Sequence, residues 1–216
     1  MLAARMQIFD QDARQVSATQ GAAALGQVAE TNDGRTFRYG KAGLTALAPG
    51  KMNDGAVVVA NHVNLVTAAA AAVGATQVTV TLGGTAATQD QYAGGTLWGN
   101  ATSTGLGIGY LIKGNPAQAT TTGYLIVTLV DPIQVAITTT TKTSLFPALY
   151  SGAIVTPSAA TAGGPPIGVV TAASLPISNY GWFQTGGVAP LLSDATVYTL
   201  GEEVSQAASG VAGSGS

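Results

Sequence analysis

Short apolar segments separated by turn residues constrain the fold of this chain more than any other feature. Residues 78–82 alternate valine and threonine and end at two glycines, and 107–112 and 123–130 are further apolar runs joined across 113–116. A period of two residues is typical of half-buried β-strands, and frequent turn residues between such strands are typical of sandwiches and barrels. We therefore expect an all-β protein with a sandwich or barrel-like body of one or two lobes and an extended N-terminal arm.

The same pattern extends along most of the chain. Residues 35–39 alternate long polar and aromatic side chains, which places Phe37 and Tyr39 on one face of a strand. The runs 107–112 and 123–130 form the strongest predicted hairpin. Further strands are predicted at 56–60, 96–98, 132–138, 153–155, 167–172, 180–185 and 196–200.

Two runs of a single residue type interrupt this pattern. The alanines of 68–73 favour one or two helical turns, because alanine is the best helix former, although so short a helix needs tertiary packing. The threonines of 138–141 favour a strand, since β-branching favours an extended backbone. The Asn-Asp-Gly sequence within 31–35 predicts a tight turn.

Composition also suggests domain boundaries. Residues 15–29 are rich in Ala, Gln and Gly, and we expect them to become ordered only against a partner. Small and polar residues at 158–164 predict a loop between two lobes. The predicted domains are an N-terminal arm with the first strand at 1–40, a main β domain at 41–157, a second smaller β lobe at 158–205 and a flexible tail at 206–216.

Charged side chains are scarce and unevenly placed. Only 8% of the residues are charged and the net charge is −2, against about 25% charged residues in an average soluble domain. So little charge indicates a surface covered by a partner subunit, and it does not favour binding to nucleic acid or to a membrane. Six of the eight basic residues lie within 1–51, which favours a contact arm there, although a solvated N-terminal face has the same composition.

Few residues offer catalytic or metal-binding chemistry. The chain has no cysteine and a single histidine, His62, without a Gly-x-Ser-x-Gly nucleophile motif. A lone histidine after an apolar strand is more often a hydrogen-bonded turn residue than a base. Asp10 and Asp12 have the spacing that opens a calcium loop, but the later ligands are missing. We expect no enzymatic activity, no metal and no cofactor.

The glycine pattern also argues against a bound cofactor, and the N-terminal sequence bears on where the protein is made. The glycines of 105–109 precede a strand rather than a helix, so they do not fit a dinucleotide-binding motif. The first residues lack the apolar core of a signal peptide, and no apolar run is long enough to span a bilayer as a helix. We therefore expect a soluble protein made in the cytoplasm.

Four aromatic residues leave one binding function open. Trp98, Tyr180, Trp182 and Phe183 fall on predicted strands, and aromatic side chains on a β-sheet are able to stack on sugars. Packing in the core or at an interface is the favoured role, and glycan binding remains the alternative.

Several strings in the sequence resemble a family of tailed-phage head proteins that decorate or cement the capsid. The resemblance covers roughly 25–205, and none of the matching strings is a catalytic motif. The strings are Asn-Asp-Gly-Arg-Thr-Phe-Arg-Tyr at 32–39, Lys-Ala-Gly at 41–43, Leu-Ala-Pro-Gly-Lys at 47–51, Ala-Asn-His-Val-Asn at 60–64, Val-Thr-Val-Thr-Leu at 78–82, Gln-Tyr-Ala-Gly-Gly at 91–95, Asp-Pro-Ile at 131–133 and Tyr-Gly-Trp-Phe-Gln-Thr at 180–185.

The resemblance implies a virion protein on the capsid surface that clamps neighbouring subunits, commonly as a homotrimer, with the major capsid protein as its partner. Proteins of this group continue past the position of 202–203 with another strand pair, whereas this chain has a Gly/Ser-rich tail there. From charge and aromatic placement we expect contacts to the partner by Arg5, Phe9, Arg14, Arg35, Phe37, Arg38 and Tyr39.

Two other classes remain open at this point. A tail, fibre or head-fibre component that contacts host glycans would use exposed aromatic side chains near Trp98 or Trp182. A polysaccharide-degrading virion enzyme would need clustered carboxylates, and acidic residues are thinly spread between Asp90 and Glu203.

Overall fold

The computed structural model describes residues 6–100, 107–119, 123–157, 163–193, 204–206 and 211–214. The chain is nearly all β, which confirms the predicted fold class. Within the described residues it forms one short helix, α1 (Asp10–Ala13), and a single 3-10 turn at Ala60–His62. The strands are β1 (Met6–Gln7), β2 (Val28–Glu30), β3 (Thr36–Lys41), β4 (Met52–Asp54), β5 (Leu65–Thr67), β6 (Gln77–Thr81), β7 (Thr96–Gly99), β8 (Gly109–Gly114), β9 (Tyr124–Leu129), β10 (Lys142–Phe146), β11 (Ile154–Val155), β12 (Pro166–Val170), β13 (Tyr180–Gly186), β14 (Val204–Gln206) and β15 (Ala212–Ser214).

The chain divides into two compact units. The barrel unit is Val58–Ala148, and the sheet unit combines Met1–Val57 with Leu149–Ser216. This division differs from the predicted boundaries, which separated an arm at 1–40 and placed 41–157 in one domain. The physical reason is long-range pairing: β3 and β13 form an antiparallel ladder from Lys41 opposite Tyr180 to Thr36 opposite Gly186. The N-terminal and C-terminal parts of the chain therefore share one sheet.

The barrel unit is a closed barrel of six strands. The strand order is β10-β5-β6-β9-β8-β7, and β7 pairs with β10 to close it. The predicted hairpin is confirmed as the antiparallel pair β8–β9, with a bulge between Ile112 and Gly114. Side chains alternate along β9, so that Leu125 and Val127 point into the core while Tyr124 and Ile126 are exposed. This alternation is what a closed barrel filled by side chains requires.

The sheet unit contains a seven-stranded sheet in the order β1-β2-β3-β13-β12-β4-β11. Ala42, directly after β3, forms a parallel bridge with Ala153, directly before β11. The end of β3 therefore also contacts the strand at the opposite edge of the sheet. Phe183 on β13 is fully buried in the core of this unit. Its ring lies against β3 at Gly40, where a Cβ would come within 2.7 Å of it. Glycine is therefore required at this position by packing.

One turn recurs five times and accounts for two incorrect predictions. In each copy a buried residue makes an isolated β-bridge, and a tight turn follows within three residues. Leu47 bridges Leu175, and Ala71 bridges Ile137. The alanine run at 68–73 is therefore a bridge and a turn rather than a helix, and the threonines of 138–141 form a turn that ends before β10. The five buried bridge residues are Leu47, Ala71, Ala87, Ile137 and Leu175.

Other strand predictions have mixed outcomes. Residues 56–60 form no strand, because the Ala56 N–H bonds to the Leu149 carbonyl outside any ladder. The segment 132–138 contains only the bridge at Ile137, and the predicted strand at 196–200 lies outside the described residues. The tail predicted to be flexible, 206–216, contains β15, which pairs in antiparallel with β14 so that Ser214 lies opposite Val204.

Gly95 provides a test of how tightly the barrel is packed. A Cβ at this position would overlap the Phe146 carbonyl oxygen, which belongs to backbone and cannot swing away. We expect Gly95→Ala to lower the free energy of unfolding by roughly 1–3 kcal/mol in urea denaturation, as overpacking does. Gly152→Ala is the control, since its Cβ would meet the Ala56 Cβ at an ordinary 3.7 Å. Equal midpoints for the two variants would contradict this packing.

Candidate partner-binding surfaces

The predicted N-terminal arm packs on the chain's own sheet. Ile8, Ala13 and Ala29 are buried in a cluster with aromatic residues of β3 and β13. Ser17 forms an antiparallel bridge with Tyr180, in which each N–H donates to the other's carbonyl. The segment 15–29, expected to become ordered only against a partner, is therefore held by contacts within the sheet unit.

The basic residues predicted to pair with a partner's carboxylates bond mainly within the chain. Asp10 accepts Arg14 at 2.7 Å and Arg35 at 2.6 Å, and Arg35 also bonds Asp33 at 2.7 Å. Arg38 donates to the Gly26 carbonyl at 3.0 Å, and its guanidinium lies over the Tyr150 ring. The two aspartates come close in space because α1 lies near the turn before β3. Arg5 lies outside the described residues.

The three predicted aromatic anchors have different environments. Phe37 is fully buried and Tyr39 is nearly so, because the face of β3 that carries them turns toward the core. Phe37 is therefore a core residue rather than a surface anchor, and Tyr39 is accessible only where it lines the cavity described below. Phe9 is 67% exposed at the start of α1, and it stays available to a partner.

The cluster of Asp10, Asp33 and Arg35 predicts a dependence of stability on pH. Hydrogen bonds from Thr31 and Arg35 lower the pKa of Asp33 to about 2. A carboxyl whose pKa is depressed by folding contributes stability that is present above its unfolded value near 3.8 and lost as the pH falls through the folded value.

In urea unfolding, the free energy of unfolding of the wild type should exceed that of Asp33→Asn by a constant amount above about pH 5. This difference in free energy should vanish as the pH approaches 2. The difference is small and falls with added salt, because the carboxylate is exposed. A difference that grows on acidification would contradict the assignment.

An apolar cavity of about 340 Å³ lies between the N-terminal segment and the sheet. Its walls include Tyr39, Tyr180 and Trp182. The two tyrosine rings are nearly parallel with centroids 6.0 Å apart, and the Trp182 ring stands edge-on to Tyr39 at 5.0 Å. Tyr39 Oη accepts the Gly21 N–H at 3.1 Å, which fixes the ring in the wall. Exposed Val16 also lines the cavity.

The outward side of the barrel is the second candidate surface, here called the outer barrel face. Val66 on β5 lies opposite Thr81 on β6, which in turn lies opposite Tyr124 on β9. Ile126 is next on β9 and lies opposite Thr79, so apolar and threonine side chains form one patch across three strands. The exposed apolar residues of this face are Val66, Tyr124 and Ile126, and Leu111 and Trp98 are exposed on the outward side of β8 and β7.

This face is also almost uncharged. The barrel unit contains four Asp, Glu, Lys or Arg residues in 58–148. Lys142 lies opposite Val66 at the margin of the patch. Single exposed apolar residues are normal, whereas a patch that continues across neighbouring strands is typical of an interaction surface.

His62 is a hydrogen-bonded residue of a 3-10 turn in the barrel unit, as its sequence context favoured. It is fully buried; its Nε2 lies 2.9 Å from the Thr85 carbonyl and its Nδ1 contacts the Tyr92 hydroxyl. Burial raises the pKa of Tyr92 above its usual value. Among the residues that the structure describes, no three His, Asp or Glu side chains are grouped as metal ligands. The described helices include none with the length and apolarity of a membrane span.

The aromatic cavity was not predicted, although part of its signal is in the sequence. Tyr39 and Trp182 fall on segments correctly identified as strands. Their pairing across β3 and β13, with Trp182 opposite Tyr39, depends on the fold. In comparisons with known proteins, no family model, no curated protein and no solved structure matches this chain.

Proposed function

We propose that this protein is a structural, non-enzymatic component of a phage virion that binds the outer surface of the capsid and stabilises it by joining neighbouring subunits. The observation that carries the proposal is the outer barrel face, an apolar and nearly uncharged patch presented by a closed barrel. The resemblance of the sequence to capsid decoration proteins supports it. The proposed partners are the major capsid protein and further copies of this chain, as a homotrimer.

The energetics of such a contact are sufficient for a clamp. Burial of apolar surface contributes ~25 cal/mol per Å², and a standard interface buries about 800 Å² on each partner. After the entropy lost on association, several kcal/mol remain for each subunit joined. A closed barrel is suited to presenting this contact surface, because it has no free strand edge at which strand pairing could change when the capsid is under internal pressure.

Co-sedimentation with purified phage heads tests the proposal. Deleting 1–40 would remove β1 to β3 from the sheet unit, so single substitutions are the appropriate variants. We expect saturable binding of the wild type at a fixed ratio to capsid subunits. Ile126→Glu places a charge in the outer barrel face and should weaken binding tenfold or more.

The matched control is Val188→Glu, at a side chain that is 91% exposed in the sheet unit. It should bind as the wild type does. No sedimentation of the wild type with heads would refute the proposal, and equal binding by Ile126→Glu would refute the role of this face.

One observation favours a second candidate function, a tail or fibre component that contacts host glycans. Trp98 is 42% exposed on β7, and its indole lies against β8 at Gly109, where a Cβ would come within 3.2 Å of the ring. Because Gly109 has no side chain, the indole of Trp98 packs closely against β8, and the exposed part of its ring is available for stacking on a sugar. Binding isotherms with host glycans, lost in Trp98→Ala, would support this function over the first.

A further inference from the structure

The aromatic cavity adjoins β1, an edge strand of the sheet. β1 is the outermost strand, and it pairs with β2 in parallel on one side, within the part of the chain that the structure describes. Gln7 on β1 and Ile8 directly after it line the cavity. An unpaired strand edge accepts another extended chain through backbone hydrogen bonds, and a pocket beside the edge selects a side chain of that chain.

We propose that this cavity receives an aromatic side chain from an extended segment of a partner polypeptide, and that this segment pairs with the free edge of β1. The identity of the partner as a capsid subunit rests on the proposed function. The cavity and the edge define the chemistry of the contact on their own.

The walls favour an aromatic ring. Tyr39, Tyr180 and Trp182 present ring faces and edges, and aromatic pairs gain energy from edge-to-face and offset stacking beyond simple burial. The volume of about 340 Å³ lies at the lower end of known small-ligand pockets, which suits one ring and excludes a large cofactor.

The charges around the cavity favour an uncharged ring. Lys41 Nζ lies 5.4 Å from the centre of the Tyr180 ring, which disfavours a second cation on that ring. Asp12 lines the cavity, and its carboxylate accepts the Phe9 N–H at 3.0 Å, so it disfavours an anion. A phenylalanine-like side chain fits both conditions.

A polypeptide is favoured over a free small molecule by the surroundings of the cavity. Met6 and Val16 are both exposed and both line it, so the apolar surface continues from the cavity toward the strand edge. A small aromatic molecule would fill the cavity but would leave this apolar surface and the edge of β1 uncovered.

Trp182 fluorescence measures occupancy directly. The chain has two tryptophans, so a Trp98→Phe background leaves Trp182 as the only reporter. The probes are acetylated and amidated phenylalanine, the leucine equivalent, the uncharged tripeptide Thr-Phe-Thr, and the same tripeptide N-methylated on its backbone. We expect saturable changes with phenylalanine at concentrations on the order of millimolar, weaker binding of leucine, tighter binding of the tripeptide and loss of that gain on N-methylation.

Two alanines provide a matched pair of variants. Ala22 is exposed and lines the cavity, whereas Ala24 is exposed and does not. Ala22→Phe fills the cavity with a ring from the chain itself and should weaken every aromatic probe at least tenfold. Ala24→Phe should bind the probes as the background does. An absence of saturable binding, or equal binding by both variants, overturns the proposal.

Binding to phage heads separates this inference from the proposed function. If Ala22→Phe loses head binding while Ala24→Phe retains it, both stand. Undiminished head binding by Ala22→Phe overturns the cavity contact and leaves the capsid function in place. If the wild type binds the phenylalanine probes but no heads, the capsid function fails and the cavity remains an aromatic acceptor site.

Discussion

Replacing Phe183 with alanine is expected to lower the free energy of unfolding of the sheet unit by about 3–5 kcal/mol, as truncation of buried aromatic residues does. Phe183 is fully buried at the centre of β13 and packs with Leu47, Leu175 and Val170. Gly40 lies under its ring, and alanine at 183 would leave a cavity there that the backbone of β3 cannot fill. Such a loss is a large fraction of the stability of an ordinary domain.

Urea denaturation followed by Trp182 fluorescence measures this effect, in a Trp98→Phe background that isolates the sheet unit. Phe9→Ala is the control, because it removes the same side chain from an exposed position and should change the midpoint little. If Phe183→Ala and Phe9→Ala shift the midpoint equally, Phe183 is not at the centre of the core.

Two substitutions of Tyr92 should destabilise the barrel unit to different extents. Tyr92 is fully buried, and its hydroxyl contacts His62 Nδ1. Tyr92→Phe keeps the ring but leaves a buried histidine nitrogen without its partner, which costs about 1–3 kcal/mol. Tyr92→Ala also removes the ring and should cost about 3–5 kcal/mol.

Urea unfolding of both variants, followed by Trp98 fluorescence in a Trp182→Phe background, tests this ranking. Tyr124→Phe on β9 is the matched control, since that tyrosine is 66% exposed and loses only a hydroxyl facing solvent. A Tyr92→Phe variant as stable as Tyr124→Phe would mean that the His62–Tyr92 contact adds nothing to the barrel.

Local patterns were enough to predict most strands but not how they pair. The alternation at 78–82 and the two runs of the β8–β9 hairpin depend on neighbouring residues, and these predictions are confirmed. The ladder between β3 and β13 joins residues far apart in sequence, and no local pattern specifies such a pairing. The predicted boundaries therefore differ from those of the two compact units.

The repeated turn shows how tertiary contacts override intrinsic propensity. Alanine favours helix, but Ala71 is held by two backbone hydrogen bonds to Ile137, and Gly74 follows with a positive φ of 90°. A signal was nevertheless present, because at each copy a small or aliphatic residue is followed three positions later by Gly, Asp, Thr or Ser. Comparing these segments with one another would have predicted turns instead of a helix and a strand.

The candidate surfaces were predictable only in part. The sequence correctly placed Phe37 and Tyr39 on one face of a strand, but it could not determine whether that face meets the core or a partner. Asp10 and Arg14 have the i,i+4 spacing of a helical ion pair, whereas the contact between Asp10 and Arg35 depends on where α1 packs and has no local sequence signal. On β9, apolar residues occupy both faces, so only the closed barrel distinguishes Leu125 from Ile126.

The temperature at which DNA-filled phage heads release their DNA tests the central claim most directly, because a protein that joins capsid subunits must make the shell harder to rupture. Heads are titrated with the purified protein, and DNA release is followed by dye fluorescence during heating. The proposed function predicts a release temperature that rises with added protein and levels off at the saturating ratio found by sedimentation, with no rise for Ile126→Glu. An unchanged release temperature at saturation would contradict the claim.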